Sequence, residues 1–294
     1  MTETEKIFRD LEDQPASDTK ATRLELFNDA KRGYVRIRKD FVQREIEPRP
    51  SVLADLVAGR KERALDLLLT VHALAPILDG TPLAVATWAR LLDSKERPCT
   101  DRAIHSALRA LSAKGLVSVS GSKAYPDIIL HRENGDGTLW SKDHKAQPKA
   151  EQGRGFFTIP FHYWTGGIID QLRMPGKAML LIILKETQDP SGPMTFTMPV
   201  ERAASWYGIS ERTAERGYRE LLDRRLIAQH VQKVPDARHP AGRREIHHRA
   251  LLGHYSTENR ERLRLDAYEA VTGGLATKHR TRKLRKKGGV EGIS

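Results

Sequence analysis

Two stretches of this chain share a spaced pattern of residues. Asp101-Arg-Ala-Ile-His-Ser-Ala-Leu-Arg-Ala-Leu111 lies over Glu211-Arg-Thr-Ala-Glu-Arg-Gly-Tyr-Arg-Glu-Leu221 at an offset of 110 positions. Arg102 matches Arg212, Arg109 matches Arg219, Leu111 matches Leu221 and Leu116 matches Leu226. Before each copy stands a hydroxyl residue, Thr100 or Ser210, suited to accept from the orphan N–H groups of a first helical turn. After each copy come two short β-like runs. A chain of 294 residues that carries such a repeat is expected to build one small fold twice.

The rest of the pattern divides around that repeat. Residues 1–50 are polar and mixed in charge and read as a partly ordered N-terminal extension. Within it, Leu24, Leu26 and Phe27 suggest a short helix, and Tyr34–Phe41 alternates as a strand does. The first module is placed at 51–132. Val52, Leu53, Leu56, Val57, Leu65, Leu68 and Leu69 recur at helical spacing, with Gly59 separating two helices and Pro76 ending the second. Leu83–Leu92 predicts a further helix, Thr100 opens another over Asp101–Lys114, and Gly115 stops it. Leu116–Ser120 and Ile128–His131 predict two strands around a turn holding Gly121 and Pro126.

Residues 133–155 carry four glycines, one proline and many charges, so they read as a linker. The second module is placed at 156–255. Phe156–Ile159 predicts a strand, and Gly176–Thr187 a helix apolar all the way round, as an element surrounded by protein would be. Pro199 suits the first turn of a helix ending near Gly208, and Ser210 caps a helix over Glu211–Arg225. Leu226–Val231 and Glu245–Arg249 flank a turn rich in Pro, Gly and Arg. Residues 256–294 read as a helix followed by a basic tail.

Helix, helix, short turn, capped helix, strand, turn, strand is the order of a winged helix-turn-helix. The segment Trp206–Ile227 contains Gly208-Ile-Ser-Glu-Arg-Thr213 and then Leu221-Leu-Asp-Arg-Arg-Leu-Ile227. It resembles the DNA-reading segment of the GntR and MarR regulator families, where a G-[IV]-S-x-R-T turn precedes a helix ending L-x-x-x-G-L-[IV]. Arg225 stands where that pattern has glycine, and Gly115 keeps the glycine in the first copy. The tandem arrangement is similar to that of plasmid replication initiators. The resemblance implies a mainly α fold with short β-wings, an α+β class of two winged helix-turn-helix domains. It also implies sequence-specific binding of duplex DNA by a transcriptional regulator, or alternatively by a plasmid- or phage-type initiator that binds origin repeats.

Physical reasoning selects the contact residues. A helix fits the major groove, and the residues at its N-terminal end meet base edges and phosphates. In the second module these are Ser210, Arg212, Thr213, Arg216 and, one turn on, Arg219, with Lys233, Arg238, His239, Arg243 and Arg244 on the wing. In the first module they are Thr100, Arg102, His105, Ser106 and Arg109, with Lys123 on a serine-rich wing. The weaker charge of that first wing leaves open a protein-contact role for its module, such as a homodimer interface.

Composition supports a polyanionic partner. Fifty Lys and Arg against 38 Asp and Glu give a net charge of +12, and Lys278–Lys287 holds seven of those cations in ten positions. No run approaches the roughly 20 apolar residues of a membrane span. The acidic N-terminus does not read as a secretory signal, and the single Cys99 excludes an intrachain disulfide or a cysteine zinc cluster. A cytoplasmic protein is expected. No phosphate-binding or dinucleotide loop appears, so neither catalysis nor a cofactor is expected. Adjacent His247 and His248 would face opposite sides of a strand, which argues against metal binding with His239 and His254. RNA binding and metal-dependent nuclease activity are the weaker alternatives, the former for want of an aromatic stacking platform.

Overall fold

The computed structural model describes residues 16–30, 32–44, 51–78, 80–140, 155–189 and 191–270. The chain is mainly helical, with three two-stranded antiparallel sheets among the described residues.

In the first half, helix α1 (Thr19–Asp29) begins at Asp18, whose carboxylate accepts the Ala21 N–H. Strand β1 (Tyr34–Arg38) follows. Ser51 caps α2 (Val52–Ala58), and beyond Gly59 runs α3 (Glu62–Leu78). Pro76 does not end α3, which continues two residues further. Its missing N–H falls in the last turn, where only one backbone bond is forfeited. Then come α4 (Val85–Leu92), α5 (Asp101–Ser112) and a hairpin of β2 (Val117–Gly121) and β3 (Pro126–Leu130). Gly121 and Pro126 close the last rung of that hairpin instead of lying in its turn.

The second half follows the same order. Strand β4 (Phe156–Pro160) leads through two single-turn helices, α6 (His162–Thr165) and α7 (Ile168–Gln171), to α8 (Met174–Glu186). A 3-10 turn at Val200–Arg202 enters α9 (Ala203–Tyr207), and α10 (Glu211–Asp223) precedes the long hairpin of β5 (Ile227–Pro235) and β6 (Arg243–Leu251). Phe196 and Arg249 exchange both backbone bonds, at 2.7 and 3.0 Å, adding a third extended segment beside β6. A last helix, α11, covers 257–270.

The repeat is visible in the backbone itself. Thr100 Oγ1 accepts the Ala103 N–H, and Ser210 Oγ accepts that of Thr213. Gly115 and Arg225 both adopt left-handed backbone, φ +64° and +53°, just past their helices. The next residue then donates back to the helix in each case: Leu116 N–H to Leu111 O at 3.1 Å, and Leu226 N–H to Leu221 O at 2.9 Å. Ile104, Leu108 and Leu111 are buried in one copy, and Ala214, Tyr218 and Leu221 in the other.

The two halves share one continuous core. Residues 16–44, which the sequence reads as part of an extension, are built into it. Strand β1 pairs antiparallel with β4, from Tyr34 opposite Pro160 to Arg38 opposite Phe156. Arg23 on α1 forms a bidentate pair with Asp170 on α7, and Trp164 Nε1 donates to Thr70 Oγ1 at 2.9 Å. Lys177 on α8 is fully buried and donates to both Asp66 oxygens, at 2.6 and 2.7 Å, and to Glu62 at 3.0 Å. Arg97 joins the same two carboxylates. Two cations and two anions thus meet between α3 and α8, which is what burial of charge requires.

Of the expected linker, 141–154 lies outside the described residues. Residues 133–140 fold back on the first half: Glu133 is fully buried and accepts the Arg38 backbone N–H, with the Arg38 guanidinium 3.3 Å away. Burial raises the Glu133 carboxyl to about 7. Trp140 packs on the core, and its backbone N–H donates to Leu130 O at 3.0 Å.

Candidate nucleic-acid interface

Helix α10 is fixed by its inner face. Ala214, Gly217, Tyr218 and Leu221 are buried, and Gly217 lets the helix approach α8 closely. A Cβ at that position would stand 2.4 Å from Met179 Cγ and 2.5 Å from the Pro175 carbonyl oxygen. Glu220 adds a polar tie, accepting the Arg173 N–H at 2.6 Å and the Gly176 N–H at 3.0 Å. It thereby caps the N-terminus of α8. On the hairpin side, the Arg249 guanidinium lies 3.6 Å from the centre of the Tyr218 ring. Burial pushes the Tyr218 hydroxyl up to about 12.

With the inner face locked, Arg212, Arg216 and Arg219 project from the outer face at positions i, i+4 and i+7. All three are exposed, and among the described residues none has a carboxylate within ion-pair distance. Thr213 is half-buried. Ser210 is exposed, but its hydroxyl is engaged as the helix cap and lies 2.8 Å from Thr213 Oγ1. Gly208, at φ +67°, makes the turn that leads from α9 to this helix.

The second hairpin carries the other expected contacts. Arg238, His239, Arg243 and Arg244 are exposed on its tip and at the start of β6. Asp236 organises the tip by accepting the Arg238 N–H at 3.0 Å. Lys233 is exposed too, with Glu245 at 3.9 Å across the ladder, so part of its charge is offset. His247 and His248 point to opposite faces, and His248 Nε2 sits 2.9 Å from Gln232 Oε1.

In the first half, Arg102, Ser106 and Arg109 are exposed on α5 and His105 is half-buried. Arg102, His105, Arg109 and Lys123 converge, with Leu108, Ser112 and Val119, on an open groove of about 730 Å³ between α5 and the first hairpin. The fold therefore brings Lys123 to the helix, a proximity that sequence order alone does not reveal. Thr100, like Ser210, is used as the cap. The hairpin serines are engaged as well: Ser118 Oγ lies 2.7 Å from His131 Nε2 and Ser120 donates to Asp127 at 3.3 Å. Sequence reasoning missed Tyr125, a 56% exposed aromatic two residues from Lys123. The signal for it was an aromatic in an otherwise small and polar turn. The basic run 278–287 lies outside the described residues.

No protein-family model, curated protein or solved structure matches the chain. No helix among the described residues is long and apolar enough to cross a membrane.

Proposed function

We propose that this chain binds duplex DNA sequence-specifically through two winged helix-turn-helix modules, as a transcriptional regulator does. The observation that carries the reading is the outer face of α10, where three exposed arginines stand without carboxylate partners among the described residues, beside an arginine-bearing hairpin. A helix presented by its inner face to the core and by a row of guanidiniums to solvent suits the major groove. Arg212 and Arg216 are placed to pair bidentately with guanine edges, and the wing cations to meet flanking phosphates. The α5 groove, with Arg102, His105, Arg109 and Lys123, is the corresponding surface of the first module. Its concentration of cations favours DNA over a protein-contact role there.

A role as an initiator at origin repeats draws support from one feature, the fusion of both modules into one body. Such a body suits binding of many identical sites in an array.

The experiment is selection of bound sequences from a random duplex pool with the full chain at near-physiological salt. Recovery of a defined motif supports the reading. Binding without a motif, which vanishes as salt rises, would leave only a sequence-independent polyanion binder.

A further inference from the structure

Two domains joined by a linker are expected to move relative to one another unless a large apolar interface holds them. In this chain the interface is more than apolar. The β1–β4 sheet takes one strand from each half. The Lys177, Asp66, Glu62 and Arg97 cluster sits between α3 and α8, with Lys177 and Asp66 each fully buried. The Arg23–Asp170 pair and the Trp164–Thr70 bond cross the same boundary. To swing one half against the other, the buried charges would have to separate in a low-dielectric interior, and the sheet would have to open. Both are costly.

The two arginine-bearing helices hang from this boundary without an intervening hinge. Helix α5 packs on α3, which supplies Asp66 and Glu62; α10 packs on α8, which supplies Lys177. Each is thus one packing step from the charge cluster, and the Glu220 cap and the Gly217 contact tighten the second of those steps.

We propose that the two modules form a single rigid caliper, so that the protein accepts only one spacing between its two half-sites on DNA. The proposal rests on the DNA-binding reading above and adds to it a geometric selectivity. Inserting one base pair between half-sites shifts one of them by about 3.4 Å and rotates it by about 34° around the duplex axis. A flexible tether absorbs such a change, whereas a rigid body loses the contacts of one module.

The test uses the full chain and the duplexes recovered by the random-pool selection. The gap between half-motifs is read directly, and affinity is then measured on duplexes with one or two base pairs inserted or deleted at that gap. A single gap is expected, with affinity falling about tenfold or more for each one-base-pair change. Insertion of a full turn should not restore it, because the caliper fixes distance as well as angle. Replacing the exposed Arg102 and Arg109 with alanine should erase one half of the motif and leave the other. A bipartite motif with scattered gaps, or tolerance of the insertions, overturns the caliper and leaves DNA binding intact. A motif indifferent to the Arg102 and Arg109 substitutions overturns it too, since one module would then be reading alone. If no motif emerges, the specific-binding reading fails and the caliper fails with it.

Discussion

Lys177 and Asp66, which lie 111 positions apart in the chain, form a buried ion pair in which the ammonium contacts both carboxylate oxygens. Neither group has solvent to fall back on. Lys177→Met is therefore expected to cost about 3–5 kcal/mol, because Asp66 and Glu62 keep their charge with only Arg97 to balance it. Urea denaturation checks this. The double variant Lys177→Met, Asp66→Leu should recover part of the loss, since two apolar side chains replace the pair. A loss equal to the sum of the two single substitutions would show the pair to be uncoupled.

That pair also marks where the sequence stops being informative. Caps, stops and helix faces are local, and Thr100, Ser210, Gly115 and the apolar stripe of α10 could be read from neighbours within a few positions. The partner of β1 could not, because nothing in Tyr34–Arg38 names Phe156–Pro160 across some hundred residues. The helix that holds Lys177 reads as apolar all round and is buried, but by both halves together. Lys177 in such a helix did carry a signal, since a buried cation demands a carboxylate. Residues 133–140 misled for another reason: glycines and charges suggest solvent, yet the Glu133 carboxylate turns inward to Arg38. Among the site residues, the cations of α10 and of the second hairpin hold exposed positions. The gathering of Lys123 with Arg102, His105 and Arg109 needed the tertiary fold.

Arg225 occupies the left-handed position that glycine holds in the first copy. For an L-residue that conformation costs about 1–2 kcal/mol, and part of the gain from removing it is returned through the freer unfolded chain. Arg225→Gly should thus stabilise the protein by about 0.5–1 kcal/mol in thermal or urea unfolding. Gly115→Ala should do the opposite, because its Cβ would also come within 3.1 Å of the Gly135 carbonyl oxygen. If both substitutions shift stability in the same direction, the backbone equivalence is not what governs these positions.

Arg212 and Arg216 stand on an exposed face and contribute little to folding. Arg212→Ala or Arg216→Ala should leave the melting temperature nearly unchanged while weakening binding to the selected duplex by about 1–3 kcal/mol. Discrimination should relax at one base position for each. Deleting 278–294 should lower specific and non-specific affinity together and flatten the salt dependence. Fluorescence anisotropy on matched and single-mismatch duplexes, at several salt concentrations, separates the two behaviours. A change of preferred sequence on deleting the tail would contradict its assignment to phosphate contact.

His72 on α3 is buried with neither ring nitrogen hydrogen-bonded among the described residues, and burial, reinforced by the Arg38 charge, lowers its pKa to about 3. In the unfolded chain the imidazole titrates near 6.5. The folded state thus binds the proton less well, so the stabilising contribution is complete above the unfolded pKa. It is lost as pH falls from there toward the folded value. Glu133 works the other way: its raised pKa favours the folded state at low pH and withdraws that support as pH climbs toward 7. The two partly offset one another between about 4.5 and 6.5, which masks each of them in the intact protein. His72→Phe keeps an aromatic ring against Trp140, whose ring centre lies 6.1 Å away, and removes the titrating group. Its stability relative to the parent should therefore rise by up to a few kcal/mol as pH is lowered from 7 to 4.5. Chemical denaturation of both proteins at these two pH values decides the matter, and a difference that stays constant with pH would mean that His72 binds its proton as readily in the folded protein as in the unfolded chain.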